Sequence, residues 1–455
     1  MSAHSIRLCW LLIRWLPILI GLTLVASLAL VAWSEQAQSA DTFVDSVGIN
    51  IHLHNGDTSY SDFSRVQQAL KDLGVRHVRD GLIDTSWKEY YNRHNQLGRA
   101  GIKSTFITSV DQSSALLLDY PRRMKDSFEA YESPNEFDQS PDEHWIVTLN
   151  SFLVKLNNTV KSDPTASRFP VIGPSMTGSE SFVKLRGLCL FDYANLHNYF
   201  AGRNPGTGGW GADGYGSISW NLSNVGAACP GKPVITTETG YQTDVAMTQG
   251  VPEEVAAKYV PRIILEQWLR GIRQTYLYEL IDFPSARPSM DSAFGLLRED
   301  FSPKPAYSAL RNLLHLLADP GPSFVGQELG FRLAGNLSDV HHLLLQKRNG
   351  LFYLIIWVEK AGYDGTIKKE VPVPARSIIV QNTAKIRMTR RSFDKSGSLQ
   401  TTVLEAGIHH DIEVSDLVTI LEIDTRPAVL SRASRPAVER RNSSLGLQAP
   451  VVPWP

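Results

Sequence analysis

Short apolar runs typical of β-strands alternate with amphipathic helical stretches along most of the chain. Val47–His52 is the first such run, and Phe63–Leu73 follows with apolar residues at helical spacing and Gly74 as a stop signal. The same alternation predicts seven further strands: Arg76–Arg79, Ser104–Thr108, Ser127–Tyr131, Pro170–Gly173, Phe191–Tyr199, Val234–Thr237 and Thr275–Leu280. It also predicts further helices: Trp87–Ala100, Ser114–Lys125, Trp145–Val160, Phe182–Leu188, Glu253–Arg270 and Pro305–Leu317.

Eight strands that alternate with helices over about 270 residues match the count and size of a (β/α)₈ barrel. A doubly wound open sheet is the alternative, but no GxGxxG motif follows the first strand. We therefore predict an α/β fold with a TIM barrel at residues 41–320. The sixth strand is followed by Ala201–Gly216, a long loop with seven glycines, and loops on this face of a barrel usually shape a binding site.

The pattern changes to a β-rich one beyond Leu317. Gly321-Pro322 interrupts the alternation, and Asn349-Gly350 and Asp364-Gly365 are turn signals between strand-like runs. Those runs are Val340–Gln346, Phe352–Val358, Ser377–Val380 and Leu417–Ile423. We predict a β-sandwich domain at residues 321–425. Residues 426–455 are rich in Pro, Arg and Ser, which predicts a disordered tail.

The N-terminal segment, residues 1–40, has the pattern of a targeting sequence. Arg7 and Arg14 precede Trp15–Trp33, which contains no charged residue. This is typical of a signal peptide, with cleavage expected after Ser39, or of an uncleaved membrane anchor, because about 20 apolar residues span a bilayer. Under the positive-inside rule, either reading places the rest of the chain outside the cytoplasm. The protein is therefore expected to be secreted, periplasmic or anchored by this segment.

The composition and the absence of certain motifs argue against several classes of protein function. The 45 Lys and Arg residues balance 46 Asp and Glu residues, so the chain has no basic footprint and nucleic acid is not an expected partner. Cys9 lies in the targeting segment, which leaves Cys189 and Cys229 just before the sixth and seventh strands. These strands are neighbours in a barrel, so the two cysteines form either a disulfide or two buried thiols. P-loop and nucleophile-elbow motifs are absent, and we expect no cofactor.

Two glutamates follow predicted barrel strands. Glu136 ends the segment Tyr131–Glu136 after the fourth strand, and Glu238 directly follows the seventh strand. Active sites of barrels lie at this C-terminal end of the strands. A pair of carboxylates there is what cleavage of a glycosidic bond requires, because one protonates the leaving oxygen and the other stabilises or attacks the anomeric centre. Glu132 competes with Glu136 for the first role if the fourth strand ends one turn of chain earlier.

Asn135-Glu136 after strand four and the sequence Thr237–Tyr241 after strand seven resemble clan A glycoside hydrolases, and among them most closely the family 39-like endoglycosidases. The resemblance covers about residues 46–318, and the trailing β-domain fits it. It implies a retaining enzyme in which Glu136 is the general acid/base and Glu238 is the nucleophile. It also implies that Asn135 binds the sugar 2-hydroxyl.

The resemblance suggests further residues around these carboxylates. Arg79 on strand two is expected to keep Glu238 ionised, or alternatively to form a structural ion pair with Asp80 or Asp84. His197 and Tyr199 point to one face of strand six, where either is expected to touch the nucleophile unless His197 is a core residue. His52 and His54 alternate in the same way at the end of strand one, as candidate sugar ligands. No third ligand of fitting spacing accompanies these two histidines, so we expect no metal.

The eighth strand departs from the clan A pattern, since many members have a Trp there beneath the sugar. Here the chain reads Tyr276–Asp282, in which Tyr278 is a candidate sugar platform and Glu279 a candidate polar contact. Trp210 in the glycine-rich loop is a second candidate stacking surface, or alternatively an anchor of that loop.

The predicted function is that of a retaining glycoside hydrolase that cleaves a β-linked polysaccharide or oligosaccharide. A non-catalytic polysaccharide-binding protein and a structural envelope protein that docks a protein partner are the alternatives. A missing carboxylate would favour the binding protein, but both carboxylates are present. The sequence does not determine the sugar, its linkage, or whether cleavage is endo or exo.

Overall fold

The structure, a computed structural model, describes residues 33–83, 86–284 and 292–426. The predicted apolar segment Trp15–Trp33 therefore lies outside the described residues, apart from Trp33, and so does the predicted tail, apart from Arg426. None of the helices within the described ranges has both the length and the apolarity that crossing a bilayer requires.

The described chain begins with two short strands and a short helix: β1 (Ser34–Gln36), β2 (Gln38–Ser39) and α1 (Ala40–Asp45). Eight parallel strands follow: β3 (Val47–Asn50), β4 (His77–Gly81), β5 (Lys103–Ile107), β6 (Phe128–Glu132), β7 (Val171–Ile172), β8 (Ala194–His197), β9 (Val234–Thr239) and β10 (Thr275–Leu277). The helices around them are α2 (Phe63–Leu73), α3 (Lys88–Arg99), α4 (Ser114–Arg123), α5 (Trp145–Ser162), α6 (Ile218–Ala228), α7 (Glu253–Leu269) and α8 (Pro305–Leu317). Short 3₁₀ turns occur at Ser59–Ser61, Phe137–Gln139, Ala166–Arg168 and Ser179–Leu185.

The eight parallel strands form a nearly closed barrel. They are hydrogen-bonded in the order β7-β6-β5-β4-β3-β10-β9-β8, and a single bridge between Ile172 and Tyr193 joins the two ends of this series. All eight strands predicted from the apolar runs are present, with bounds that differ by a few residues. The α/β barrel prediction is confirmed at this level.

The barrel interior is filled by side chains. The buried Tyr276 ring packs with Ala130, Ile172 and Ile235, and its hydroxyl lies 3.0 Å from Thr105 Oγ1. Gly48 faces this ring, and a Cβ at position 48 would lie 2.4 Å from Tyr276 Cδ1. Glycine is therefore required at position 48 to leave room for the tyrosine that fills the barrel.

The C-terminal region consists of β11 (Glu328–Gly335), β12 (Val340–Gln346), β13 (Phe352–Val358), β14 (Tyr363–Asp364), β15 (Lys369–Glu370), β16 (Arg376–Phe393), β17 (Leu399–Val414) and β18 (Thr419–Asp424). The first half of the long strand β16 pairs with β11 and its second half pairs with β18, while β17 runs beside most of its length. This folded, mainly antiparallel sheet has an apolar core of its own, which includes Leu354, Ile356, Val380 and Leu421. We refer to residues 328–424 as the β-domain.

The N-terminal strands pair with strands of the β-domain and not with the barrel. Strand β1 pairs antiparallel with β11, and β2 pairs in parallel with β12. Residues 34–39 were predicted to belong to the targeting segment, because six residues are too few for a recognisable strand pattern. Cleavage after Ser39 stays a prediction, and it would remove both strands.

Helix α7 lies between the barrel and the β-domain. Every residue of Val255–Gln267 is buried, including Lys258, Arg262 and Glu266. Lys258 Nζ lies 3.0 Å from Asp416 Oδ2, and Arg262 pairs with Glu359, so charges on this helix bind carboxylates of the β-domain. The two parts of the chain therefore share a buried polar interface.

Cys189 and Cys229 form a disulfide, with Cα atoms 5.8 Å apart and a sequence separation of 40. The two cysteines are therefore not free thiols, which was the alternative that the sequence left open. We expect the Cys189→Ser, Cys229→Ser double variant to unfold with a free energy lower by about 4 kcal/mol, because the bond restricts the unfolded chain over a long loop. Urea unfolding measures this loss. Reductant should destabilise the wild type alone, and equal stability of wild type and double variant would contradict the expectation.

Candidate active site

A cavity of about 790 Å³ opens at the C-terminal ends of the barrel strands. Its lining includes both predicted catalytic glutamates, Glu136 and Glu238. It also includes five other candidate residues predicted from the sequence: Asn135, His197, Tyr199, Trp210 and Tyr278. The residues converge because parallel strands in a barrel end on the same face.

Glu238 lies at the end of β9 with its side chain 13% exposed. Its Oε1 accepts a hydrogen bond of 2.6 Å from Arg79 Nη1, and its Oε2 accepts one of 3.0 Å from the Tyr199 hydroxyl. Burial raises the pKa of Glu238, but the positive charges of His197 and Arg79 and the hydrogen bonds from Arg79 and Tyr199 outweigh it and leave the pKa below its ordinary value. The site therefore favours an ionised carboxylate at this position.

Glu136 lies in the loop after β6, and its side chain is 32% exposed. Its backbone occupies the left-handed region, with φ 40°, and its N–H donates to Ser175 Oγ at 3.1 Å. His197 Nδ1 lies 2.7 Å from Glu136 Oε1 and 3.5 Å from Glu238 Oε2. One carboxylate oxygen of each glutamate and a His197 ring nitrogen all lie within 4.8 Å of one another. His197 thus bridges the two carboxylates.

Glu132, the competing residue, is the last residue of β6 and is fully buried. It receives two hydrogen bonds from Arg79, of 2.6 and 2.8 Å, and one of 3.0 Å from Asn195 Nδ2. Arg79 thus pairs with Glu132 and not with Asp80, one of the two alternatives predicted for it, whereas the other, Asp84, lies outside the described residues. Because its oxygens are occupied by Arg79 and strand residues, Glu132 acts as a buried counter-charge, and Glu136 is the carboxylate that faces the cavity.

Arg79 connects the two sides of the site. Besides Glu132 and Glu238, its guanidinium donates to Asn50 Oδ1 at 2.8 Å and to Asn135 Oδ1 at 2.6 Å. Arg79 therefore lies beside Glu238, and its role in keeping that carboxylate ionised stays a prediction. The contact to Asn135 orients that amide so that its nitrogen is the atom available to a ligand.

His52, His54 and Glu279 form a second polar group next to the cavity. His52 Nε2 lies 3.0 Å from Glu279 Oε2, and the His52 and Tyr278 rings are 5.7 Å apart. Burial raises the pKa of Glu279 to about 7, even though His52 opposes this rise. The expectation that these histidines lack a third ligand was wrong, since Asp80 lies with them, within 2.8 Å of His54 Nδ1. Asp80 is also 3.1 Å from His94 Nε2, so its oxygens already have partners.

Comparisons with known proteins identify the fold. No protein-family profile matches the sequence, and neither does any curated protein. Among solved structures, a family 39 glycoside hydrolase from Bacteroides cellulosilyticus superposes with a TM-score of 0.61 at 16% identity, over 85% of this chain and 82% of that one. A monomeric β-xylosidase from Caulobacter crescentus gives 0.54 at 15% identity, over 86% and 97% of the two chains. The chain has the fold of the family 39 glycoside hydrolases. A glucosidase from Croceicoccus marinus is also similar, with a TM-score of 0.56 at 10% identity over 88% and 99%.

Several aromatic side chains that were not predicted from the sequence also line the cavity. Phe294 packs against Tyr199 and Tyr278, with ring centroids 5.6 and 5.7 Å apart. Tyr215 and Trp220, with ring centroids 4.6 Å apart, continue the surface of Trp210. The seven glycines around Trp210 indicated a long loop at the cavity, which made that region recognisable. Phe294 lies in a segment without strand or helix periodicity, so no pattern indicated that this residue lines the cavity.

Proposed function

We propose that this protein is a retaining glycoside hydrolase that cleaves a β-linked oligosaccharide or polysaccharide by double displacement. The observation that carries the proposal is that one carboxylate oxygen of Glu136 and one of Glu238 lie less than 4.8 Å apart at the mouth of the barrel. Retaining enzymes hold their carboxyl groups about 5–5.5 Å apart, whereas inverting enzymes hold them about 6.5–9.5 Å apart to admit a water molecule. The glycosidases that share the fold support the same reaction class.

In the first step, a Glu238 oxygen attacks the anomeric carbon while Glu136 gives its proton to the leaving oxygen, and a glycosyl ester on Glu238 forms. In the second step, Glu136 takes a proton from water, the water oxygen attacks the same carbon, and the ester bond breaks. Glu238 regains its charge and Glu136 its proton, so both residues return to their starting state.

The neighbours of the carboxylates suit these two roles. Arg79 and Tyr199 hold Glu238 by hydrogen bonds and favour its ionised form. Asn135 is fixed through its oxygen by Arg79, which leaves its amide nitrogen to donate to the sugar 2-hydroxyl. Trp210 and Tyr278 line the same cavity as flat surfaces for the apolar faces of sugar rings.

The pH dependence of the reaction tests the state of Glu238. Activity needs the Glu238 carboxylate, so on the acidic side kcat/KM should stay constant until the pH drops through the lowered pKa of Glu238, below the ordinary 4.5. Tyr199→Phe removes a donor to the charged form, so the acidic limb should move to higher pH by about one pH unit. Tyr307→Phe is the matched control, since it removes a 3.0 Å hydrogen bond between a phenol and Asp72 away from the cavity. An acidic limb that does not move in Tyr199→Phe would show that this hydrogen bond does not set the pKa.

Product release from a panel of β-linked polysaccharides and aryl β-glycosides, xylosides and glucosides included, tests the proposed activity. Early products are examined by NMR, and a retaining enzyme releases the β-anomer first. Release of the α-anomer would contradict the double displacement. Binding without cleavage of any member would favour the polysaccharide-binding alternative.

We also propose that the folded sheet of the β-domain is a β-sandwich. A separate proposal is that the protein works outside the cytoplasm. The Cys189–Cys229 disulfide supports the location, because such bonds persist in oxidising compartments. The pairing of β1 and β2 with the β-domain suggests that residues 34–39 stay in the mature chain. Mass spectrometry of the exported protein measures its first residue, and a start after Ser39 would contradict this suggestion.

A further inference from the structure

Glu359 is a buried carboxylate of the β-domain that reaches the loop beside the cavity. It follows strand β13 and is 7% exposed. Its Oε1 accepts hydrogen bonds from Asn204 Nδ2 at 2.7 Å and from the Gly206 backbone N–H at 2.8 Å. Asn204 and Gly206 both belong to the glycine-rich loop Ala201–Gly216. A single side chain of the β-domain thus binds the loop at two points.

The position of Glu359 is itself fixed by charge. Arg262 on helix α7, which is fully buried, donates to its two oxygens at 2.6 and 2.8 Å, and Trp357 Nε1 donates at 2.9 Å. Arg262 also donates to the Lys360 carbonyl at 2.9 Å. A carboxylate held by this many donors cannot follow the loop if the loop moves, so it is suited to act as a fixed anchor.

The anchored loop carries the aromatic wall of the cavity, which we define as Trp210 and Tyr215. These two residues exchange backbone hydrogen bonds of 2.9 Å in both directions. The Arg203 guanidinium lies 4.0 Å from the centre of the Trp210 ring, which links the ring to the residue just before Asn204. Trp210 and Tyr215 are 39% and 46% exposed, and outside the loop the Tyr215 ring packs on Trp220, with ring centroids 4.6 Å apart.

The loop backbone packs closely against Glu359 at Gly206. A Cβ at position 206 would lie 2.3 Å from Glu359 Cγ and 2.8 Å from its Cδ. Glycine therefore allows the loop backbone to approach the carboxylate closely enough to donate its N–H. Since Arg262 and Trp357 hold Glu359, the added carbon would displace the loop and not the acid.

We propose that Glu359 is a positioning residue through which the β-domain holds the aromatic wall against the cavity and so sets the specificity for longer saccharides. This inference rests on the proposed function for its kinetic consequence, whereas the anchoring of the loop does not depend on it. The barrel strands and Arg79 position Glu136 and Glu238 independently of Glu359. Loss of the anchor therefore weakens binding of saccharide units at the wall and leaves the chemical step intact.

Three variants break the contact, and a fourth is the control. Asn204→Ala and Gly206→Ala act from the loop side and leave the buried pair of Glu359 and Arg262 intact, so they avoid an unpaired buried charge. Glu359→Gln keeps one acceptor oxygen but leaves Arg262 without its buried counter-charge, so its effect is compared only with those of the two loop variants. Asp416→Asn is the matched control, because it breaks the 3.0 Å ion pair with Lys258 at the same interface without touching the loop.

Limited trypsin digestion of the full native chain measures the anchor without any substrate. Mass spectrometry follows cleavage after Arg203, which lies in the loop, and each rate is divided by the rate for the same variant after denaturation, which corrects for the changed residue at position 204. We expect cleavage to be about 10-fold faster in Asn204→Ala and Gly206→Ala than in the wild type and in Asp416→Asn, because the loop opens more often. Unchanged cleavage in both loop variants would overturn the proposal, as would equal acceleration in Asp416→Asn.

Steady-state kinetics then measures specificity on any substrate that the wild type cleaves. We expect KM for oligosaccharides to rise about 10-fold in the two loop variants, with kcat for aryl monoglycosides within about twofold of the wild type. An equal fall of kcat on both substrates would overturn the role in specificity. A wild type that cleaves no glycoside overturns the proposed function, and the digestion still decides whether Glu359 anchors the loop.

Discussion

Replacement of Glu238 by Gln is expected to lower kcat by at least about 10⁴-fold on any glycoside that the protein cleaves. The amide has the shape of the carboxylate and keeps one acceptor oxygen, so either Arg79 or Tyr199 loses its acceptor. It is also neutral and cannot form the glycosyl ester. Initial rates on the best substrate of the panel measure the loss. Glu129→Gln is a suitable control, since Glu129 is a strand β6 carboxylate whose partner is His77, with a distance of 2.8 Å.

Added azide separates the two proposed roles of the glutamates. In Glu238→Ala, azide enters from the face that the carboxylate occupied and should yield an α-glycosyl azide. In Glu136→Ala, the glycosyl ester on Glu238 still forms with good leaving groups, and azide should open it from the other face to give a β-glycosyl azide. The same anomer from both variants would contradict the assignment of nucleophile and acid/base, and full activity of either variant without azide would contradict the site itself.

The barrel could be predicted because its signals are local. Each strand is a short apolar run, and most helices have a recognisable periodicity, as at Phe63–Leu73 with its stop signal Gly74. Helix α6 is the exception, since it was not predicted. The alternation of the two then determines that all strands end on one face. Glu136, Glu238 and Arg79 could be selected as candidates because they lie at or shortly after the ends of such runs, and this selection needed no knowledge of distant contacts.

The rest of the site depends on contacts between residues far apart in the chain. Glu132 is charged yet fully buried, and its role follows from Arg79, which is 53 residues away. Glu359 and Asn204 are separated by 155 residues, and no pattern in the sequence connects them. Strand β17 was missed because most of its side chains are exposed, so it lacks the alternation of apolar and polar residues that reveals a half-buried strand.

Arg79 is the residue at which the stability of the barrel and the proposed chemistry depend on each other. Its guanidinium is 2% exposed and binds one carboxylate on each side, Glu132 and Glu238. Glu132 has no exposure to water, so its charge depends on Arg79 and on hydrogen bonds from Asn195 and Thr237. Removal of the arginine would leave a buried carboxylate without a counter-charge, which is among the more costly changes that a single substitution can cause.

We therefore expect Arg79→Met to lower the free energy of unfolding by about 3–5 kcal/mol. Guanidinium chloride unfolding measures this change, and Arg76→Met provides the control. Arg76 pairs with Asp41 at 2.6 Å but is 25% exposed, so its loss should cost no more than about 1 kcal/mol. Equal effects of the two substitutions would contradict the view that burial of the Arg79 pair makes it critical.

A double-mutant cycle distinguishes a general loss of packing from the loss of the counter-charge. Glu132→Gln removes the buried charge and keeps the shape, so Arg79→Met with Glu132→Gln should be more stable than the sum of the single changes by about 1–3 kcal/mol. The regained stability should not restore activity, because Glu238 and Asn135 still lack their donor at position 79. Additive effects would mean that the two residues do not interact. Restored activity would mean that Arg79 acts on the reaction only by compensating Glu132, and its contact with Glu238 would then have no catalytic consequence.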